Sequence, residues 1–99
     1  MTTIHKYPIG HTTELRLPMS ARVLTVQVDS KTGKPCLWVL LDPDAPKTRH
    51  NFVTFGTGHD VPEPERLTYI ATWQTGPFVF HTFELDAPPA RGERTEGGG

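Results

Sequence analysis

The residues of this 99-residue chain best suited to chemistry are Gly56-Thr57-Gly58-His59, a glycine-rich turn that leaves a strand-like run. Successive backbone N–H groups in such a turn can converge on an anion, and an imidazole beside them adds a hydrogen bond or a proton. Gly56, Thr57, Gly58 and His59 are therefore the candidate ligand-binding residues. Phosphate loops of the dinucleotide or Walker type end at a helix N-terminus. Pro62 and Pro64 forbid that helix here, which leaves a plain glycine turn as the competing interpretation.

Other reactive side chains are poorly arranged for catalysis. The histidines stand at 5, 11, 50, 59 and 81, and no two have the i, i+2 or i, i+4 spacing that sets a pair of metal ligands on one local face. Asp42 and Asp44 flank Pro43, where Asp serves as a turn residue by bonding nearby backbone N–H groups. Cys36, the single cysteine, lies in the apolar run Pro-Cys-Leu-Trp-Val-Leu-Leu and reads as a buried, inert thiol. It excludes an intramolecular disulfide and any zinc site built on a cysteine pair. No nucleophile elbow, zincin or kinase signature occurs. The chain leans away from being an enzyme: no catalytic residue, metal ligand or cofactor is predicted.

The elements that must position the loop are strands. Ten prolines are spread along the chain, and no helix-length window escapes them without also alternating as a strand. Expected strands cover Thr3–Tyr7, Glu14–Leu17, Arg22–Asp29, Cys36–Leu41, His50–Phe55, Leu67–Gln74 and Pro77–Leu85. Leu24, Val26 and Val28 should face inward, with Thr25, Gln27 and Asp29 outward. Val26, Val28, Leu37, Trp38, Val39, Tyr69, Trp73 and Phe80 are expected to be largely buried. The fold class is all-β, a small β-sandwich or partly open barrel of six to seven mostly antiparallel strands. Residues 1–85 form one domain. From 86 to 99 the chain is Ala, Pro, Arg, Gly, Glu and Thr around Asp86, without an apolar anchor, and is expected to be a disordered tail.

The last two strands form a hairpin, with Thr75-Gly76 expected as its two-residue loop. That pairing sets Leu67, Tyr69, Ala71, Trp73, Phe78 and Phe80 on one face. Ile70, Val79, His81 and Phe83 occupy the other, which is not properly polar. A hairpin apolar on both sides needs two surfaces to pack against. Ile70, Val79, His81 and Phe83 are therefore the candidate interface, and a symmetric homodimer is the expected assembly.

Composition narrows the partners. Residues 1–85 carry eight Lys/Arg and eight Asp/Glu, and the remainder adds two against three. No basic stripe exists to neutralise phosphates, and residues 67–85 contain neither Lys nor Arg, so their aromatics are not a nucleic-acid platform. The longest apolar run, Leu37 to Leu41, is too short to span a bilayer, and the N-terminus lacks a signal-peptide pattern. A soluble cytoplasmic protein is expected.

In order, Lys6-Tyr7-Pro8, Ala21-Arg-Val-Leu-Thr-Val-Gln27, Pro35-Cys-Leu-Trp-Val-Leu-Leu-Asp42, Gly56-Thr-Gly-His59, Tyr69-Ile-Ala-Thr-Trp-Gln74 and Phe78-Val-Phe-His-Thr-Phe-Glu84 resemble a family of short proteins encoded in phage and prophage genomes, catalogued as a domain of unknown function. The resemblance spans the first strand to Glu84. It departs at His5, where the family commonly has an aromatic before Lys-Tyr-Pro. It implies a phage setting and a compact stand-alone β-domain, and it assigns no catalytic residue. The function expected is that of a small non-enzymatic phage accessory protein that binds a host protein or a small ligand, as a homo-oligomer. A virion structural component, for decoration or connection, is the alternative. An enzyme acting on a phosphorylated ligand through residues 56–59 comes third.

Overall fold

The computed structural model describes residues 1–86; the expected tail beyond Asp86 lies outside the described residues. Seven strands follow the predicted order: β1 (Thr3–Pro8), β2 (Thr12–Pro18), β3 (Arg22–Val28), β4 (Pro35–Leu41), β5 (Lys47–Gly56), β6 (Leu67–Thr75) and β7 (Phe78–Leu85). A single 3-10 turn, Pro64–Arg66, precedes β6. All pairings are antiparallel, in a three-stranded sheet ordered β1-β4-β3 and a four-stranded sheet ordered β2-β5-β7-β6. The chain crosses between the sheets after β1, β2 and β4. No helix among the described residues is long and apolar enough to cross a membrane.

The core lies between the sheets. Leu37, Val39 and Leu41 of β4 and Val26 of β3 meet Leu17, Phe52 and Ala71 from the larger sheet, with Ile9 at the β1–β2 crossing. Of the side chains expected inside, Val26, Leu37 and Val39 are buried, and Val28, Trp38, Trp73 and Phe80 are half-buried.

In β3 and β6 a bulge overturns the expected facing, and the turn of the final hairpin lies one residue later than expected. In β3 the register shifts between Val23 and Thr25. The bulge expels Leu24, which is 45% exposed, and sets Val23 against the core instead. The final hairpin turns at Gly76-Pro77 rather than Thr75-Gly76, because Thr75 pairs with Phe78 and Trp73 with Phe80. Gly76 has φ +57, and Pro77 fixes φ near −65° at the next position, the φ pattern of a II′ turn. A second bulge between Tyr69 and Ala71 then reverses the faces of β6. Tyr69 becomes 59% exposed, while Ile70, expected in the outer interface, packs against the core.

Asp29, expected outward, is instead buried as the organiser of the β3–β4 turn. Its carboxylate accepts from Lys6 Nζ at 2.7 Å and from the Lys31 N–H at 3.1 Å, and its carbonyl accepts from Gly33 N–H at 2.7 Å. Gly33 occupies the positive-φ position (φ +73). Asp42 plays the turn role expected of it, accepting from the Asp44 N–H at 3.0 Å.

The Lys6 hydrogen bond, helped by the Lys31 N–H, holds the Asp29 carboxyl below its ordinary value of 3.8, and the same bond raises Lys6 above 10.5. A depressed acid stabilises the fold above its unfolded value, and that contribution is lost as pH falls through the folded value. The raised Lys6 contributes below about its unfolded value and stops contributing as pH rises through its folded value. Asp29→Asn should therefore lower the melting temperature at pH 7 and flatten the acid limb below about pH 4. Thermal melts from pH 2 to 8 check this; an unchanged acid limb would contradict it.

Candidate functional site

The loop after β5 closes tightly on itself. The His59 N–H bonds the Gly56 carbonyl at 3.1 Å, and the Thr57 N–H bonds the Val79 carbonyl of β7 at 3.1 Å. Two of the N–H groups that would form an anion nest are therefore committed to protein carbonyls. The Thr57 hydroxyl bonds His81 Nε2 at 2.7 Å, also away from a common centre. Gly58 has φ +88, a backbone state that disfavours any side chain.

What the loop builds instead is the wall of a cleft. The His59 ring folds back over Gly56 so closely that a methyl group there would sit 3.0 Å from Cε1. One pocket, of about 270 Å³, is lined by Gly10, His11, Thr54, His59, Trp73 and Phe80, together with Pro35 and Gly56. A second, of about 570 Å³, lies on the other side of His59, against Thr57, Pro77, Phe78 and Val79. Gly56, His59 and Phe80 line both pockets, and Gly58 lines neither.

Aromatic rings form much of the cleft wall. The hairpin pairing of Trp73 with Phe80 stacks their rings, with centroids 4.8 Å apart at 29°. Phe78 continues the row, 6.4 Å from Phe80, and is 62% exposed. Beneath them Trp73 Nε1 donates to Thr82 Oγ1 at 2.9 Å, and Thr82 shares a 2.8 Å hydrogen bond with Thr54. This buried pair of hydroxyls fixes the indole's angle. No Lys, Arg, Asp or Glu lines either pocket, so the cleft suits an uncharged, flat molecule held by ring contact, with imidazole and hydroxyl groups at its edge.

Of the candidate interface, Val79, His81 and Phe83 do share the outer face of the four-stranded sheet, without Ile70. They join Phe55 and Tyr69, whose rings lie 6.1 and 5.8 Å from Phe83. His81 accepts or donates at both nitrogens, to Thr57 at 2.7 Å and Thr72 at 3.0 Å. The bulge between Tyr69 and Ala71 is what brings Tyr69 to this face, and the expected pairing of Trp73 with Phe78 gives no hint that Trp73, Phe78 and Phe80 adjoin the glycine loop. The cross-strand partners of Gly56 carried that signal, since Gly56 pairs with Phe80. Among the described residues no group of three metal-ligating side chains comes together.

Gly58→Ala should cost about 1 kcal/mol or more, because alanine cannot adopt that φ without strain. His59→Ala should leave the melting temperature within a degree or two while opening the two pockets into one. Parallel thermal melts check both, and a large loss for His59→Ala would make the ring a structural support.

No curated protein and no solved structure matches the chain. A domain of unknown function, DUF7352, matches over residues 1–93, a span that contains every strand, both pockets and the outer aromatic face. The chain belongs to that family.

Proposed function

We propose that this chain is a small binding protein that takes a compact ligand with a flat apolar or aromatic face into the cleft around His59. The observation carrying this reading is the Trp73–Phe80–Phe78 row beside two adjoining pockets. Of the two partners considered, a host protein and a small ligand, the concave shape favours the small ligand. The enzyme acting on a phosphorylated ligand loses support, since the Thr57 and His59 N–H groups are spent on protein carbonyls and no Lys or Arg among the described residues lines the cleft. A phage accessory role rests on the family resemblance alone.

The test is an NMR titration with indole or phenol. Trp73 Nε1–H should shift on addition while Trp38 Nε1–H, buried on the other sheet without a partner among the described residues, stays still. Equal shifts of both, or of neither, would sink the reading.

A second reading, a virion component that assembles through copies of itself, draws on the outer face of Phe55, Tyr69, Val79 and Phe83. An apolar sheet face of this kind favours a symmetric dimer. Light scattering at micromolar concentration distinguishes them: a monomer removes the assembly reading and leaves the ligand reading standing.

A further inference from the structure

At the end of the core remote from the glycine loop, β5 and β7 bring together a hydroxyl, an imidazole and a carboxylate. His50 Nδ1 lies 2.8 Å from Glu84 Oε2, and His50 Nε2 lies 3.1 Å from Thr48 Oγ1. Thr48 and His50 are two apart on β5, hence on one face of the sheet, and Glu84 arrives from β7, where it pairs with Phe52. His50 and Glu84 are 19% and 32% exposed, and Thr48 is open to solvent. All three line a pocket of about 540 Å³ with Met19, Arg49, Asn51 and Leu85.

We infer that Thr48, His50 and Glu84 form a nucleophilic relay that accepts an acyl group from an activated ester on the Thr48 hydroxyl. The proton positions follow from donor chemistry. A carboxylate can only accept, so in the neutral ring Nδ1 carries the N–H and Nε2 presents its lone pair to the Thr48 hydroxyl. The hydroxyl's alternative acceptor, the Leu17 carbonyl, is farther away at 3.4 Å. That is the arrangement in which a base on a hydroxyl is oriented by a third group.

The step balances without any metal or redox partner. As Thr48 Oγ bonds to the carbonyl carbon, its proton passes to His50 Nε2. The C–O bond to the leaving group then breaks, and His50 returns the proton to the departing oxygen. Water, the second substrate, attacks the acyl-threonine by the same path and restores the hydroxyl. The guanidinium of Arg49, which lines the same pocket, is engaged by Glu14 at 3.1 Å, so the substrate must be one with a good leaving group. Thr48 and His50 are the catalytic residues and Glu84 a positioning residue. This activity is independent of the binding cleft.

The experiment is incubation of the full chain with p-nitrophenyl acetate, followed optically and by peptide mapping. A burst of about one equivalent of p-nitrophenolate is expected, with an acetyl ester on Thr48 that hydroxylamine removes, unlike acetyl-lysine. Thr48→Val should abolish the burst with the fold intact, Thr48→Ser should retain it, and His50→Gln should slow it at least ~100-fold. Glu84→Gln can donate to Nδ1 and so reverse the tautomer; nitrogen NMR shifts of His50 should show the exchange together with loss of the burst. Acetyl groups found only on amines, or a burst that survives Thr48→Val, would overturn the proposal.

Discussion

Replacing Thr82 by valine should remove about 2–4 kcal/mol of folding stability, although the side chain keeps its shape. Thr82 is fully buried and its hydroxyl serves two neighbours, the Trp73 indole N–H and the Thr54 hydroxyl. Valine leaves both without a partner, and a buried polar group stripped of its hydrogen bond costs about 1–3 kcal/mol. In a domain this size each kcal/mol moves the midpoint by roughly 4–8 °C, so the melting temperature should fall by about 10–25 °C. Thr82→Ser keeps the hydroxyl and should lose far less. Adding Thr54→Val to Thr82→Val removes one of the orphaned groups, so the pair should cost less than the sum. Denaturant melts of the parent, Thr54→Val, Thr82→Val and the double variant measure the coupling. A valine variant that melts within a few degrees of the parent would mean that the hydroxyl network carries no weight.

This network was hidden in the sequence, where Thr82 reads as one more polar residue in an aromatic strand. The strands themselves were legible, because alternation and the proline spacing survive any error of facing. Facing was not, since a one-residue slip in a strand flips every side chain beyond it. The β3 bulge at Leu24 and the β6 bulge at Ile70 arise in the backbone, and neither position carries a glycine or proline to announce it. At the hairpin, Gly76 marks the turn in the sequence, while Pro77 reads as strand although its missing N–H cannot serve a ladder. The glycine loop was legible as a place and illegible as chemistry: the carbonyl that consumes the Thr57 N–H belongs to Val79, twenty-two residues on. Likewise, starting β5 at His50 instead of Lys47 removed Thr48 from the strand and with it the hydroxyl two positions before the imidazole. Glu84, thirty-four residues away, could be joined to them only by the pairing of β5 with β7.

Phe80→Ala should weaken binding of an aromatic ligand in the cleft by about tenfold to a hundredfold. Phe80 and the His59 imidazole are the rings that border both pockets, and the stacking of Phe80 on Trp73 holds the indole against the Thr82 hydroxyl while leaving its other edges to the ligand. Losing the ring removes an aromatic contact of about 0.5–1.5 kcal/mol beyond simple burial and exposes apolar surface on both sides of His59, at about 25 cal/mol for each Å² no longer covered. Folding also suffers, because a half-buried phenylalanine contributes to packing; a loss of about 2–3 kcal/mol is expected, near the lower end for such truncations. Phe80→Leu separates the two effects. Leucine restores most of the apolar volume, so stability should return to within about 1.5 kcal/mol, whereas ring stacking, and with it most of the affinity, should not. The Trp73 Nε1–H resonance reports both quantities in one sample, through its chemical shift with added indole or phenol and through its intensity on heating. If Phe80→Leu binds as well as the parent, ring stacking is not what the cleft uses, and apolar volume alone must account for its affinity.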